Sequence, residues 1–277
     1  MLFNDLTLST TLFSVGAFNV KLSLLVFIGV GFLAQAIDGA LGMAYGVSSN
    51  SFLLAVGVPV PVASASVHMA EIATTAVSGI SHTKLGNMDK ALFKKLLIPG
   101  IIGSIIGAIL LTYGWQNLTS EWKTIIKMVV AVYLLAMGVR IIIKAASMMT
   151  QKKKDFKHLH LIILAWLGGL CDAIGGGGWG PIVTSTLVNA EDHPRFVIGT
   201  VNTVEFFVTL AQVTVFMALI TSMDWQVIAG LIIGGSIAAP FAAKLCKAIP
   251  ARIMMFIVGG VIVGLQIYTL IKSAMSF

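Results

Sequence analysis

Apolar residues run along this chain in blocks of roughly 20, separated by short polar or glycine-rich segments. This is the spacing of membrane-crossing helices, not the alternation of a half-buried strand. The first block, 22–37, runs into DGALGMAYG and restarts as a short apolar segment over 47–56. A VPVPV loop follows, then three longer spans at about 62–82, 94–112 and 123–146. The order then recurs: a block over 159–170, the stretch CDAIGGGGWGP, a short segment over 182–188, a loop EDHPR, and spans at about 196–220, 225–245 and 253–271. The pattern predicts an all-α integral membrane protein built from two repeats. Each repeat holds a glycine-broken helix pair and three spanning helices.

The recurrence extends to single residues. An offset of 134 lays Asp38 over Asp172, Gly42 over Gly176, Tyr45 over Trp179 and Gly46 over Gly180. The same offset sets SVHMAE over TVNTVE, so that Val67 meets Val201, His68 meets Asn202 and Glu71 meets Glu205. One residue further on, Asp89 meets Asp224 and Gly100 meets Gly235. Two pairs of acids aligned at one offset, in a chain with 11 acids, point to duplication. The repeats are expected at 22–146 and 159–272, with a cytoplasmic linker over 147–158.

Lysine and arginine in short loops set the orientation. HTKLGNMDKALFKK carries four lysines and QKKKDFKH another four, so both are placed in the cytoplasm. GWQNLTSEW and TSMDW carry none and are placed outside; Lys244, Lys247 and Arg252 put the last turn inside. VPVPV then falls outside and EDHPR inside, so the two repeats are expected to be inverted. The net charge of +7 is thus topology information and excludes nothing else by itself; no nucleic-acid partner is expected. The low charged fraction, 10%, with 57% hydrophobic residues, excludes an ordinary soluble domain. Cys171 and Cys246 have no metal or redox spacing, and MLFNDLTLST lacks the basic start of a cleaved signal peptide.

Breaking a helix inside a membrane leaves main-chain N–H groups without partners. Paired breaks at matching places of inverted repeats are the sequence pointer to a transporter's binding site, and a half-helix N-terminus can hold an anion. The two breaks are therefore expected to face each other near mid-membrane, with Gly175, Gly176, Gly177, Gly178 and Trp179 among the substrate-binding residues. Ser48, Ser49 and Asn50, followed by Ser51, lie after the first break, with Thr184, Ser185 and Thr186 after the second. These are neutral groups suited to an anion. Gly100, Gly103 and Gly107, and Gly259, Gly260 and Gly264, are read instead as close helix packing.

Four acids fall in apolar segments: Asp38, Asp172, Glu71 and Glu205. Each costs roughly 2.5 kcal/mol or more in a span, which marks it for a task. Two readings stand for the aspartates, which sit at the edges of the breaks: an ion-coupling role, or capping of a broken helix end. The glutamates lie near mid-span and are read as proton-exchanging, ion-coupling groups. His68 and Asn202 precede them by three residues, on the same helix face, and are read as substrate-binding residues. Gln35 and Gln212 are further candidates.

At these residues the chain resembles the TauE/SafE family of sulfite exporters. The resemblance rests on DGALGMAYG, CDAIGGGGWGP and the SVHMAE/TVNTVE pair, and spans about residues 24 to 270. It implies a permease of the bacterial cytoplasmic membrane that moves sulfite, sulfoacetate or another sulfonate, by export; proton coupling is expected instead from the mid-span glutamates, which an anion tolerates only when they are protonated, and alternating access from the inverted repeats. No cofactor or metal is called for, and a homo-oligomer is left open. The first break has fewer glycines than the second, so unequal contributions are expected. A carboxylate-based transporter for a metal or sodium ion is the competing reading, since hard cations take oxygen ligands. An intramembrane enzyme is the third; HExxH and GxSxG are absent, so no enzyme is expected.

Overall fold

The computed structural model describes residues 11–15, 18–41, 43–147, 158–188, 194–248 and 250–275. Most of the linker expected at 147–158, the acidic part of EDHPR and the first ten residues lie outside them. A short antiparallel hairpin, β1 (Thr11–Val15) and β2 (Phe18–Lys21), precedes the helices. It is the one departure from an all-α chain among the described residues, and it lies before the first expected repeat.

Ten helices follow. They are α1 (Leu22–Leu41), α2 (Tyr45–Val56), α3 (Val60–Lys84), α4 (Lys90–Gln116) and α5 (Ser120–Ser147). The second set is α6 (His158–Gly175), a π-helical turn (Gly180–Thr184) leading into α7 (Ser185–Val188), α8 (Pro194–Leu219), α9 (Trp225–Ala248) and α10 (Ala251–Ala274). Among the described residues four helices, α4, α5, α8 and α10, contain stretches long and apolar enough to cross a membrane. α2, with 12 residues, rises about 18 Å, well short of a hydrocarbon core of about 30 Å. It is too short to cross as a single straight helix, and the described helical segment after the second break is shorter still.

Both expected breaks occur, but each falls later than the sequence placed it. α1 carries on through Asp38 to Leu41, and α6 through Asp172 to Gly175. The aspartates are therefore in the last helical turn, and the chain breaks only after them. In the second break Gly176 (φ 64°) and Gly177 (φ 148°) take left-handed backbone that side-chain-bearing residues rarely adopt.

The packing crosses between halves. The first helix of each half lies along the fourth helix of the other: α1 on α9 and α6 on α4. The third helices, α3 and α8, pack together, as do the fifth, α5 and α10. Small residues permit these approaches. A methyl on Gly103 would overlap the Trp166 carbonyl oxygen, and one on Gly107 would come within 2.6 Å of the Leu170 oxygen. Gly234 does the same for α9 against the Ile28 carbonyl of α1. Gly259 packs on Ile142, but Gly260 and Gly264 have nothing within 4 Å, so the expected packing role fails for those two. They lie away from the helix–helix seam. Large apolar side chains such as Leu110, Val129, Ile143, Ile257 and Ile271 point outward, as lipid contact requires.

Candidate functional site

The two breaks meet. A Cβ on Gly46 would lie 2.8 Å from Gly177 Cα and 2.9 Å from Glu71 Oε1. A Cβ on Gly180 would lie 2.7 Å from Met43 Cα. The start of each short helix thus rests on the break of the other half.

Each aspartate closes its own break. Asp38 Oδ1 accepts the main-chain N–H of Ala44 at 2.7 Å and of Tyr45 at 3.1 Å. Asp172 Oδ1 accepts from Gly178 at 2.8 Å and Trp179 at 3.0 Å. The spacing, six and seven residues, is the same in both. These are the donors a broken helix leaves free, and here they are met by the protein's own carboxylates, a strong charge-assisted arrangement. The expectation that the N–H groups of these helix starts face a substrate anion is corrected at these four positions: their partner is internal.

Beyond the caps the halves differ. Asp172 is 2% exposed, and its Oδ2 lies 3.0 Å from His68 Nε2 and accepts from Gln212 Nε2 at 2.9 Å. His68 Nε2 is also 3.6 Å from Glu71 Oε2, which bears out the shared helix face. His68 Nδ1 lies 2.7 Å from the Ser64 carbonyl oxygen. Both ring nitrogens therefore face accepting oxygens. The contacts are satisfied when the ring carries two protons, or when Asp172 carries the one between them. At the matching place of the other half, Asn202 Nδ2 donates to Ser78 Oγ at 3.0 Å. Ser78 and Gln212 are related by the same offset of 134 as His68 and Asn202.

Asp38, Asp172, Glu71 and Glu205 all line one cavity, together with Tyr45, Gly46, Thr74, Thr75, Gly177 and Gly178. Its volume is about 20 Å³, room for about one water molecule. Glu71 is 5% exposed, and its carbonyl accepts from Thr74 and Thr75 hydroxyls. Among the described residues no group of three or more His, Cys, Asp or Glu side chains converges as a metal cage would.

Other predicted residues stand apart from the cavity. Gly175 and Gly176 are buried against Tyr133 and Asn50, where even a methyl would overlap the neighbouring side chain. Trp179 is fully buried with its indole N–H donated to the Val201 carbonyl at 3.3 Å, so that donor is committed. Its ring fills the space beside Gly100, and Tyr45 lies beside Gly235 in the same way. Asn50 donates to the Gly175 carbonyl at 2.5 Å, tying α2 to the end of α6. Ser48, Ser49 and Thr184 hydroxyls meet no hydrogen-bond partner among the described residues. The Gln35 side-chain oxygen is likewise unpartnered.

Three side chains outside the sequence candidates brace the breaks or the short helix after the second. Tyr133 Oη donates to the Gly177 carbonyl at 3.0 Å and braces the second break from α5. Arg140 Nη2 reaches Thr186 Oγ1 at 2.9 Å, and Lys144 Nζ reaches Met43 Sδ at 3.7 Å. The two cations had a signal, a four-residue spacing on one face of a long apolar helix. Tyr133 had none.

Comparison with known proteins agrees with this architecture. Residues 27–269 match the family model described as Sulfite exporter TauE/SafE. The chain belongs to the TauE/SafE family. It is 39% identical over 253 residues to the probable membrane transporter protein YtnM of Bacillus subtilis (strain 168), covering 90% of this chain and 83% of that one. No solved structure gives a significant match. The protein is thus a multi-pass membrane transporter of the cytoplasmic membrane, and transport, not catalysis, is the activity to which both likenesses point.

Proposed function

We propose that this transporter exports a small sulfur-containing oxyanion, sulfite or a sulfonate such as sulfoacetate. It does so by alternating access between two inverted repeats at 22–146 and 159–272, with protons exchanged at Glu71 and Glu205. One observation carries the reading: carboxylates from both halves line a single cavity at the place where the two breaks touch. The crossed packing of first on fourth helices supports the repeat, and the family description supports the substrate class.

The chemistry follows from charge. An oxyanion beside four carboxylates is repelled unless some carry protons. Asp38 and Asp172 each have Oδ1 committed to two main-chain N–H groups of their own break. That leaves Glu71 and Glu205 as the groups that take up protons when the anion enters and release them when it leaves. A cavity of about 20 Å³ is too small for sulfite, which supports an occluded form that must open for substrate. The Ser48, Ser49 and Thr184 hydroxyls, unpartnered in this form, are the neutral donors proposed to turn to it, with the Gly177–Gly178 backbone alongside. The committed aspartate oxygens weigh against the cation reading, which would need them as ligands.

The test is flux of sulfite and sulfoacetate in proteoliposomes, with and without a pH gradient, for the parent and for Glu71→Gln and Glu205→Gln. Flux that follows the gradient in the parent and becomes indifferent to it in the variants is the expected result. Gradient-driven flux that persists in both folded variants would return the glutamates to a structural role. Flux of neither anion, with a metal ion or sodium moved instead, would replace the reading.

A further inference from the structure

Arg140 and Lys144 lie one helical turn apart on α5, and neither forms an ion pair among the described residues. Like charges at this spacing share a face and repel. Their partners are neutral. Arg140 Nη2 lies 2.9 Å from Thr186 Oγ1 and 3.4 Å from Ser185 Oγ. Lys144 Nζ lies 3.7 Å from Met43 Sδ.

The placement is what gives the pair a purpose. Met43 belongs to the first break and lines the central cavity. Ser185 and Thr186 follow the π-helical turn of the second, whose Gly180 and Pro181 line the same cavity. Lys144 therefore touches the first break, and Arg140 the short helix that follows the second. Arg140 is exposed and Lys144 half-buried, so the pair runs from the surface toward the cavity. Ser185 Oγ donates to the Pro181 carbonyl, which leaves its oxygen free to accept from the guanidinium. A planar guanidinium, an ammonium and the Thr186 hydroxyl, with Ser185 helping to hold the guanidinium, make a donor set matched to a small oxyanion and to no cation.

We infer that Arg140, Lys144, Ser185 and Thr186 form a docking station for a small sulfur oxyanion, sulfite or an alkylsulfonate, at the mouth of the central cavity. This rests on the anion-permease reading and supplies what the cavity lacks, positive charge on the path to four carboxylates. The anion is first held between guanidinium and ammonium. It passes inward when Met43 and the π-helical turn move apart.

The experiment titrates detergent-solubilised full-length protein with sodium sulfite and with sodium methanesulfonate at fixed ionic strength, beside flux in proteoliposomes. Losing one charge-assisted contact should weaken binding about ten-fold or more in Arg140→Gln and in Lys144→Gln. Arg140→Lys, which keeps charge and loses the planar fork, should fall between. The KM for flux should rise in step, with less change at saturation. Lys144→Gln removes only a contact to a thioether, so it carries the test if Arg140→Gln does not fold. Unchanged affinity in the folded variants overturns the station, and a parent that still moves either anion leaves the permease standing. Binding that weakens as expected, in a parent that moves neither anion, keeps the station and overturns the permease reading. A parent that neither binds nor moves these anions overturns both.

Discussion

Asp172 and Asp38 hold the same pair of main-chain donors, six and seven residues on, yet only Asp172 is also gripped from behind. His68 and Gln212 reach its second oxygen. The residues at the matching places, Asn202 and Ser78, bond to each other. The cap is a requirement of the backbone, so both halves keep it: a helix start within an apolar layer cannot leave its N–H groups unmet. The extra grip is a matter of side chains, and it differs. On this count the second break is the fastened one and the first the looser. Motion that opens the cavity is expected to begin at the first.

The largest effect should come from the closest contact of the two breaks. Gly177→Ala forces a side chain onto φ 148° and overlaps the Val47 nitrogen and the Gly46 carbonyl carbon. It should yield little monodisperse protein. Gly57→Ala, at φ 101° but with nothing within 4 Å, should cost only about 1 kcal/mol, seen as a small drop in melting temperature. Equal behaviour would mean the meeting of the breaks is not tight.

The next pair tests the asymmetry itself. Asp172→Ala strips the acceptor from His68, Gln212 and two N–H groups, and should destabilise by about 3–5 kcal/mol. Asp38→Ala removes the cap alone, at about 1–2 kcal/mol. Thermal unfolding in detergent reads both, and equal losses would erase the distinction drawn here. The smallest change is Tyr133→Phe, which takes one hydrogen bond from the Gly177 carbonyl and should cost about 1 kcal/mol.

Helix existence was legible because apolar blocks of this length have one use, and the breaks were legible because four glycines in a row suit no helix. The breaks' positions were not. Asp38 and Asp172 read as the edges, yet the helices run one turn further, because each carboxylate must sit back along its helix to reach donors beyond the gap. Nothing in a sequence says which atom a freed N–H will meet, so an outside anion and an internal aspartate looked alike. The His68–Glu71 proximity followed from spacing along one helix. The His68–Asp172 contact needs α3 laid against α6, which no local pattern reports. Gly260 and Gly264 show the reverse error: a glycine motif that suits packing, on a helix face that meets nothing.

Gly46 and Gly177 touch through their backbones, one from each half of the chain. A methyl group at either would have to displace the other, so the two positions behave as one locus for mutation. A substitution at one becomes tolerable only after the opposing stretch of backbone has moved. Change is therefore expected to collect in the side chains around the seam, where Asn202 and Ser78 bond to each other while His68 and Gln212 turn to Asp172.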